Sequence, residues 1–170
     1  IVRRDPEAVM AVMPSDHVIR PDEAFQDAIR QAVELLERDP ARMITFGIRP
    51  TYPAETFGYI QRGKPLPRAG DNAPKAFNVE KFHEKPKADV AQQYLESGNC
   101  YWNSGIFVWR ATAIRDAIGR FQPKMLEHLT RIADAAGSPD YDTTLQREFE
   151  AIRPISIDLG VMENASGVVV

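Results

Sequence analysis

Val9-Met10-Ala11-Val12-Met13-Pro14-Ser15-Asp16-His17 is an apolar run that ends in a carboxylate. Val9 to Met13 offers solvent no polar side chain, so it predicts a strand buried on both faces, as in a parallel sheet. Pro14 and Ser15 break the run and put Asp16 just past the strand's carboxyl end, the edge at which open α/β sheets bind ligands. Pro21-Asp22-Glu23 then opens a helix, with proline in the first turn and acids near the positive end of the helix dipole. Phe25, Ala28, Ile29, Ala32 and Leu36 recur at helical spacing until Asp39-Pro40 stops the pattern. Met43-Ile44-Thr45-Phe46-Gly47-Ile48 reads as a second buried strand. Strand, helix, strand in that order is a βαβ unit, whose crossover is expected to be right-handed.

Between Arg49 and Ala76 the texture changes, with prolines at 50, 53, 65, 67 and 74 and glycines at 58, 63 and 70. A short strand is expected over Gly58 to Arg62, an exposed loop from Gly63 to Pro74, and a strand from Ala76 to Phe82. Val90, Ala91, Tyr94 and Leu95 mark a helix closed by Ser97-Gly98-Asn99. Ile106-Phe107-Val108-Trp109 is another apolar strand. Helices follow over Thr112 to Arg120, Pro123 to Ala136 and Asp142 to Ala151, with Asp142 as the expected cap. A short apolar run, Ile155-Ser156-Ile157-Asp158-Leu159, again carries an acid at its end. The whole reads as α/β with a mixed, mostly parallel central sheet flanked by helices.

At 170 residues, 44% hydrophobic and 26% charged, the chain is long enough for one domain with a proper core. A net charge of −3 argues against a nucleic-acid partner, which needs a basic face. Cys100 is the sole cysteine, so no internal disulfide can form and a reducing, cytoplasmic setting is expected. No apolar run approaches the ~18 residues of a membrane span. Both ends, Ile1-Val2-Arg3-Arg4 and Val168-Val169-Val170, read as the interior of a chain, so a larger protein is expected.

Four islands could carry chemistry: Pro14-Ser15-Asp16-His17, Glu84-Lys85-Pro86, Trp102-Asn103-Ser104-Gly105 and Ser156-Ile157-Asp158. Each is expected at a strand end or in the turn beside one. Taken singly, each has an ordinary explanation. An aspartate after a strand forms turns or caps helices, Glu84-Lys85 is a solvated pair, and Asn103-Ser104-Gly105 is a tight turn. His17, His83 and His128 lack metal-ligand spacing and read as structural, and Cys100 has no recognisable base partner.

Together, the ordered motifs PSDH, FGYI, FHEKP, YWNSGIF and SIDLGVME resemble the sugar-1-phosphate nucleotidyltransferases. Thr45-Phe46-Gly47-Ile48-Arg49-Pro50-Thr51 and Ser156 to Glu163 are similar to the mannose-1-phosphate guanylyltransferase branch, and the resemblance runs from Val9 to Val170. It implies a Rossmann-like nucleotidyltransferase fold, with 1–170 as a single partial domain, incomplete at the N-terminus. It also implies GTP and mannose 1-phosphate as substrates, Mg²⁺ as cofactor, and allows a homodimer. By resemblance, Asp16 and Asp158 would be the metal carboxylates, and with Lys85 they form the catalytic set. Glu84 would accept hydrogen bonds from sugar hydroxyls, and Lys85 would meet the sugar's phosphate. Asn103 would add an amide contact, while Gly58 and Tyr59 would line the sugar.

Two departures stand out. The branch reads proline-glutamate-threonine-glycine-tyrosine-glycine-tyrosine where this chain has Pro53-Ala54-Glu55-Thr56-Phe57-Gly58-Tyr59. The family's glycine-rich triphosphate loop, with its arginine, belongs before the first strand and is absent from these residues, so the 170 residues alone are expected to be inactive. Other classes weighed are a glucose-1-phosphate thymidylyl- or uridylyltransferase and a non-catalytic sugar-nucleotide-binding paralogue. A glycosyltransferase is disfavoured because Asp16 has no Asp-X-Asp spacing around it.

Overall fold

The computed structural model describes residues 1–67 and 75–170, which form two units, Ile1–Ala113 with Ser166–Val170 and Ile114–Ala165. The first unit holds strands β1 (Val9–Val12), β2 (Met43–Ile48), β3 (Tyr59–Pro65), β4 (Phe77–His83), β5 (Cys100–Arg110) and β6 (Val168–Val169). It also holds helices α1 (Asp22–Arg38) and α2 (Ala88–Ser97). The expected loop from Gly63 begins later, because Gly63 to Pro65 extend β3. Its Arg68 to Pro74 portion lies outside the described residues.

The strand order is β1-β5-β2-β6-β4-β3, and β3 returns to pair with β5. Five strands therefore close into a ring, with β1 attached outside it. Among the described residues only β2–β6 is parallel, whereas β1–β5, β2–β5, β3–β4, β3–β5 and β4–β6 are antiparallel. This corrects the mostly parallel sheet expected from the sequence. β1 and β2 do run in the same direction, as a βαβ unit requires, but β5 lies between them. An apolar run announces burial and says nothing about the direction of the neighbouring strand.

β1 corrects a second expectation. Val9, Val12 and Met13 are 40%, 41% and 53% exposed. Among the described residues the run pairs with β5 on one side only. The core lies deeper. Ala32, Leu35 and Leu36 of α1 pack on Ile44, Val108 and Val169, and a second cluster joins Ala54, Tyr59, Ala91, Cys100 and Trp102 with Tyr94 of α2. Gly98 ends α2 in the left-handed conformation at φ 64°, the helix stop read from Ser97-Gly98-Asn99.

β5 is far longer than the four apolar residues that announced it, because the Asn103-Ser104-Gly105 turn signal is a bulge within the strand. Thr45 of β2 faces Phe107 and Gly47 faces Asn103, so two steps on β2 span four on β5. Gly105 takes φ 68° there, a conformation that glycine adopts without steric cost.

Helix α3 (Ala111–Phe121) leads into the second unit, which contains α4 (Pro123–Ala135), α5 (Tyr141–Ala151) and a π-helical turn at Asp158–Met162. Asp142 lies inside the first turn of α5 rather than capping it. Asp158 opens the π-helical turn and does not end a strand, and its backbone carbonyl accepts the Glu163 N–H at 2.9 Å. The buried Glu148 carboxylate binds α5 to α4, accepting from His128 Nδ1 at 2.8 Å and Arg131 at 2.9 Å, with Arg147 at 2.9 Å beside it. Those three donors, Arg131 foremost and then His128 and Arg147, pull its pKa down to about 2.

Candidate active site

Three neighbouring strands set one row of residues side by side. Tyr59 faces His83 of β4 on one flank and Trp102 of β5 on the other. One residue further along, Gly58 lies between Glu84 and Asn103, and the Asn103 N–H donates to the Gly58 carbonyl at 2.8 Å. Residues directly opposite in paired strands share a face of the sheet. A Cβ on Gly58 would stand 3.0 Å from Glu84 Oε2 and 3.6 Å from Asn103 Cβ. Glycine at this position therefore leaves room for the Glu84 carboxylate against the backbone, beside the Asn103 side chain.

Lys85 extends this row. Its ammonium lies 3.1 Å from Glu84 Oε1, and its side chain is 64% exposed. Its backbone takes φ 42°, the only non-glycine residue with positive φ among those described. Such a conformation costs of order 1–3 kcal/mol and persists only where the surroundings impose it, commonly at functional sites.

The opposite face packs against α2 and holds the row in place. Tyr59 is fully buried, its hydroxyl donates to the Ala54 carbonyl at 3.0 Å, and its ring lies 5.3 Å from that of Tyr94. Its side chain thus has no surface to offer a sugar, in contrast to the contact expected for it; it anchors the loop that carries Gly58. Ala54, the residue added relative to the family motif, is itself buried in that cluster. Tyr52 and Phe57 set ring edges on Trp102 at 4.9 and 5.1 Å and fix the same loop from outside.

Asn103 is held in turn. Its Oδ1 accepts from the Gly105 N–H at 3.1 Å and from the Thr45 hydroxyl at 3.3 Å. Thr45 is 1% exposed and was not singled out in the sequence. The available signal was a lone hydroxyl in an apolar strand, which has to find a partner once buried.

Asp16 lies exposed in the turn after β1. The antiparallel register of β1 on β5 brings that turn beside the bulge, where Pro14 Cγ would be 3.6 Å from a Cβ on Gly105. Met13, Pro14, His17, Arg20, Asp22 and Ile106 line a cleft next to it. Asp158, in the second unit, is half-buried at the start of its π-helical turn. No cluster of three or more histidine, cysteine, aspartate or glutamate side chains suited to a metal occurs among the described residues. No helix among them is long and apolar enough to cross a membrane.

The family described as Nucleotidyl transferase matches residues 1–148. This chain belongs to the nucleotidyl transferase family. Among curated relatives of this nucleotidyl transferase, mannose-1-phosphate guanylyltransferase ManC of Salmonella typhimurium is 40% identical over 98% of the chain. Xanthan biosynthesis protein XanB of Xanthomonas campestris is 40% identical over 99% of it. The chain spans 34% of the length of either relative. A crystal structure described as mannose-1-phosphate geranyltransferase of Thermus thermophilus superposes with a TM-score of 0.81 at 30% identity, covering 99% of this chain and 45% of that one. One described as mannose-6-phosphate isomerase of Helicobacter pylori gives 0.80 at 27% identity, covering 97% and 62%.

Proposed function

We propose that this chain carries the sugar-phosphate-binding part of a mannose-1-phosphate guanylyltransferase, which transfers GMP from GTP to mannose 1-phosphate and yields GDP-mannose and pyrophosphate. The observation that supports it is the Glu84–Gly58–Asn103 row with Lys85 at its end: hydroxyl-binding groups side by side, and a cation one residue away for a phosphate. Glu84 accepts from sugar hydroxyls and Asn103 adds its amide. Lys85 leaves its exposed pairing with Glu84 to neutralise the sugar phosphate, since an exposed ion pair holds by no more than about 1 kcal/mol. With the phosphate so held, one of its oxygens attacks the α-phosphorus of GTP in line. The bond from that phosphorus to the bridging oxygen breaks, and its electron pair leaves on pyrophosphate.

The donors fit Mg²⁺ in kind, because that ion takes one or two carboxylates together with phosphate oxygens and waters rather than an all-protein cage. On the sequence motifs, Asp16 and Asp158 are each assigned as such a carboxylate. When bound, Mg²⁺ supplies charge neutralisation for the phosphates.

The test is the full-length protein with GTP, mannose 1-phosphate and Mg²⁺, followed by pyrophosphate release and GDP-mannose. Product is expected, and it is lost on chelation. Lys85→Met is expected to lower kcat/KM by about 10²- to 10³-fold, the range for removing one group that stabilises transition-state charge. Turnover only with glucose 1-phosphate and UTP or dTTP would replace the mannose assignment, and binding without pyrophosphate release would favour a non-catalytic paralogue.

A further inference from the structure

Beneath the site, on the face of the sheet that meets α2, four side chains form one directed chain of hydrogen bonds. The Gln61 amide donates to Glu80 Oε2 at 3.3 Å, which turns its Oε1 toward His83 Nε2 at 3.2 Å. Nε2 must then carry the proton, and Nδ1 is left to accept from the Tyr94 hydroxyl at 3.0 Å. The His83 and Tyr94 rings also pack against each other, tilted by 37° with centroids 4.7 Å apart. This chain joins α2, β4 and β3 at the last residue before Glu84 and Lys85, and the His83 carbonyl itself lies 3.8 Å from a Cβ position on Gly58.

We propose that His83 is a positioning residue for sugar-phosphate binding: clamped between Tyr94 and Gln61, it fixes the direction in which β4 delivers Glu84 and the strained Lys85. The inference rests on the function proposed above. The sequence offers His83 only as a histidine without ligand spacing, and the structure gives it work that a packing residue would not do. Lys85 holds a left-handed backbone with no glycine to ease it, so something adjacent has to over-determine the turn, and the His83 clamp is the polar structure immediately before it.

Protonation reverses one arm of the clamp. A second proton on Nδ1 makes the ring the donor there, so the Tyr94 hydroxyl has to turn and accept, and the cation is placed beside Lys81 in a partly buried setting. Burial first, and then Lys81 on the same strand, hold the His83 pKa below the ordinary histidine value. The groups facing the ring are Lys81 and, through Gln61, Glu80 of β4, Tyr59 and Gln61 of β3, and Tyr94 of α2, whose own pKa is raised by burial and then by Cys100 of β5. With a depressed folded value, the clamp is intact above about pH 6.5 and is lost as pH falls through the folded pKa.

The experiment compares wild type, His83→Val and Tyr94→Phe as full-length enzyme, with thermal melts showing that each variant is folded at the assay temperature. Both variants are expected to raise the KM for mannose 1-phosphate on the order of tenfold, as displaced positioning groups do, while leaving the KM for GTP within about twofold. Wild type is expected to lose sugar-phosphate affinity at acid pH, and His83→Val is expected to lose that part of the pH profile. An unchanged KM for mannose 1-phosphate, or an equal rise in both KM values, overturns the role of His83 and leaves the guanylyltransferase reading standing. Wild-type protein that makes no GDP-mannose overturns both.

Discussion

At the scale of single residues, the site depends on one missing side chain. Gly58 is needed for space rather than for backbone freedom, since a methyl group there would press on Glu84 Oε2 at 3.0 Å. Gly58→Ala is therefore expected to raise the KM for mannose 1-phosphate about tenfold, because the Glu84 carboxylate has to move aside. The melting temperature should change little, as the far end of a flexible side chain can yield cheaply. Steady-state kinetics beside a thermal melt check both parts. Much of this candidate site was legible in the sequence, since Gly58, Glu84, Lys85 and Asn103, which the fold brings together, all fall within ordered motifs. The burial of Tyr59 and the part played by Thr45 were not legible there, for one reason. Which face of a strand a residue occupies depends on the register of its partners, and the sequence does not print the register. Tyr59 packs into the α2 cluster, and the Thr45 hydroxyl reaches the Asn103 side chain across the bulge.

At the scale of elements, helices were read with good bounds because apolar spacing and stop signals are local. Strands fared worse where their partners are distant. Apolar density in Val9 to Met13 suggested a strand buried on both faces, yet β1 is largely exposed and pairs on one side only among the described residues, and the turn residues inside β5 concealed a single bent strand. The α4–α5 pair carries its own prediction. Glu148 has a pKa of about 2, well below an ordinary glutamate, so its contribution to stability is present above about pH 4.3 and disappears as pH falls towards 2. Glu148→Gln is expected to melt several degrees lower at pH 7 and to lose the acid-sensitive part of the curve between about pH 4.3 and 2. Circular dichroism melts at a series of pH values measure this, and coincident acid profiles for the two proteins would contradict it.

At the scale of the whole molecule, family membership was readable because five short motifs keep their order over almost the entire chain. The strand directions and closure of the sheet were not, since they arise from β5 and β6, which reach back to strands far earlier in the sequence. Closure has a consequence for motion. A ring in which β2 is bonded on both sides cannot release one strand without opening a neighbour, whereas among the described residues β1 is bonded to β5 alone, so in the 170-residue chain taken by itself it can open independently. Deuterium uptake followed by mass spectrometry should thus reach the peptide covering Val9 to Val12 well before that covering Met43 to Ile48. The Pro14–Asp16 turn would then breathe on a faster clock than the row at Gly58, leaving the sugar side of the pocket standing while the loop beside it samples other positions.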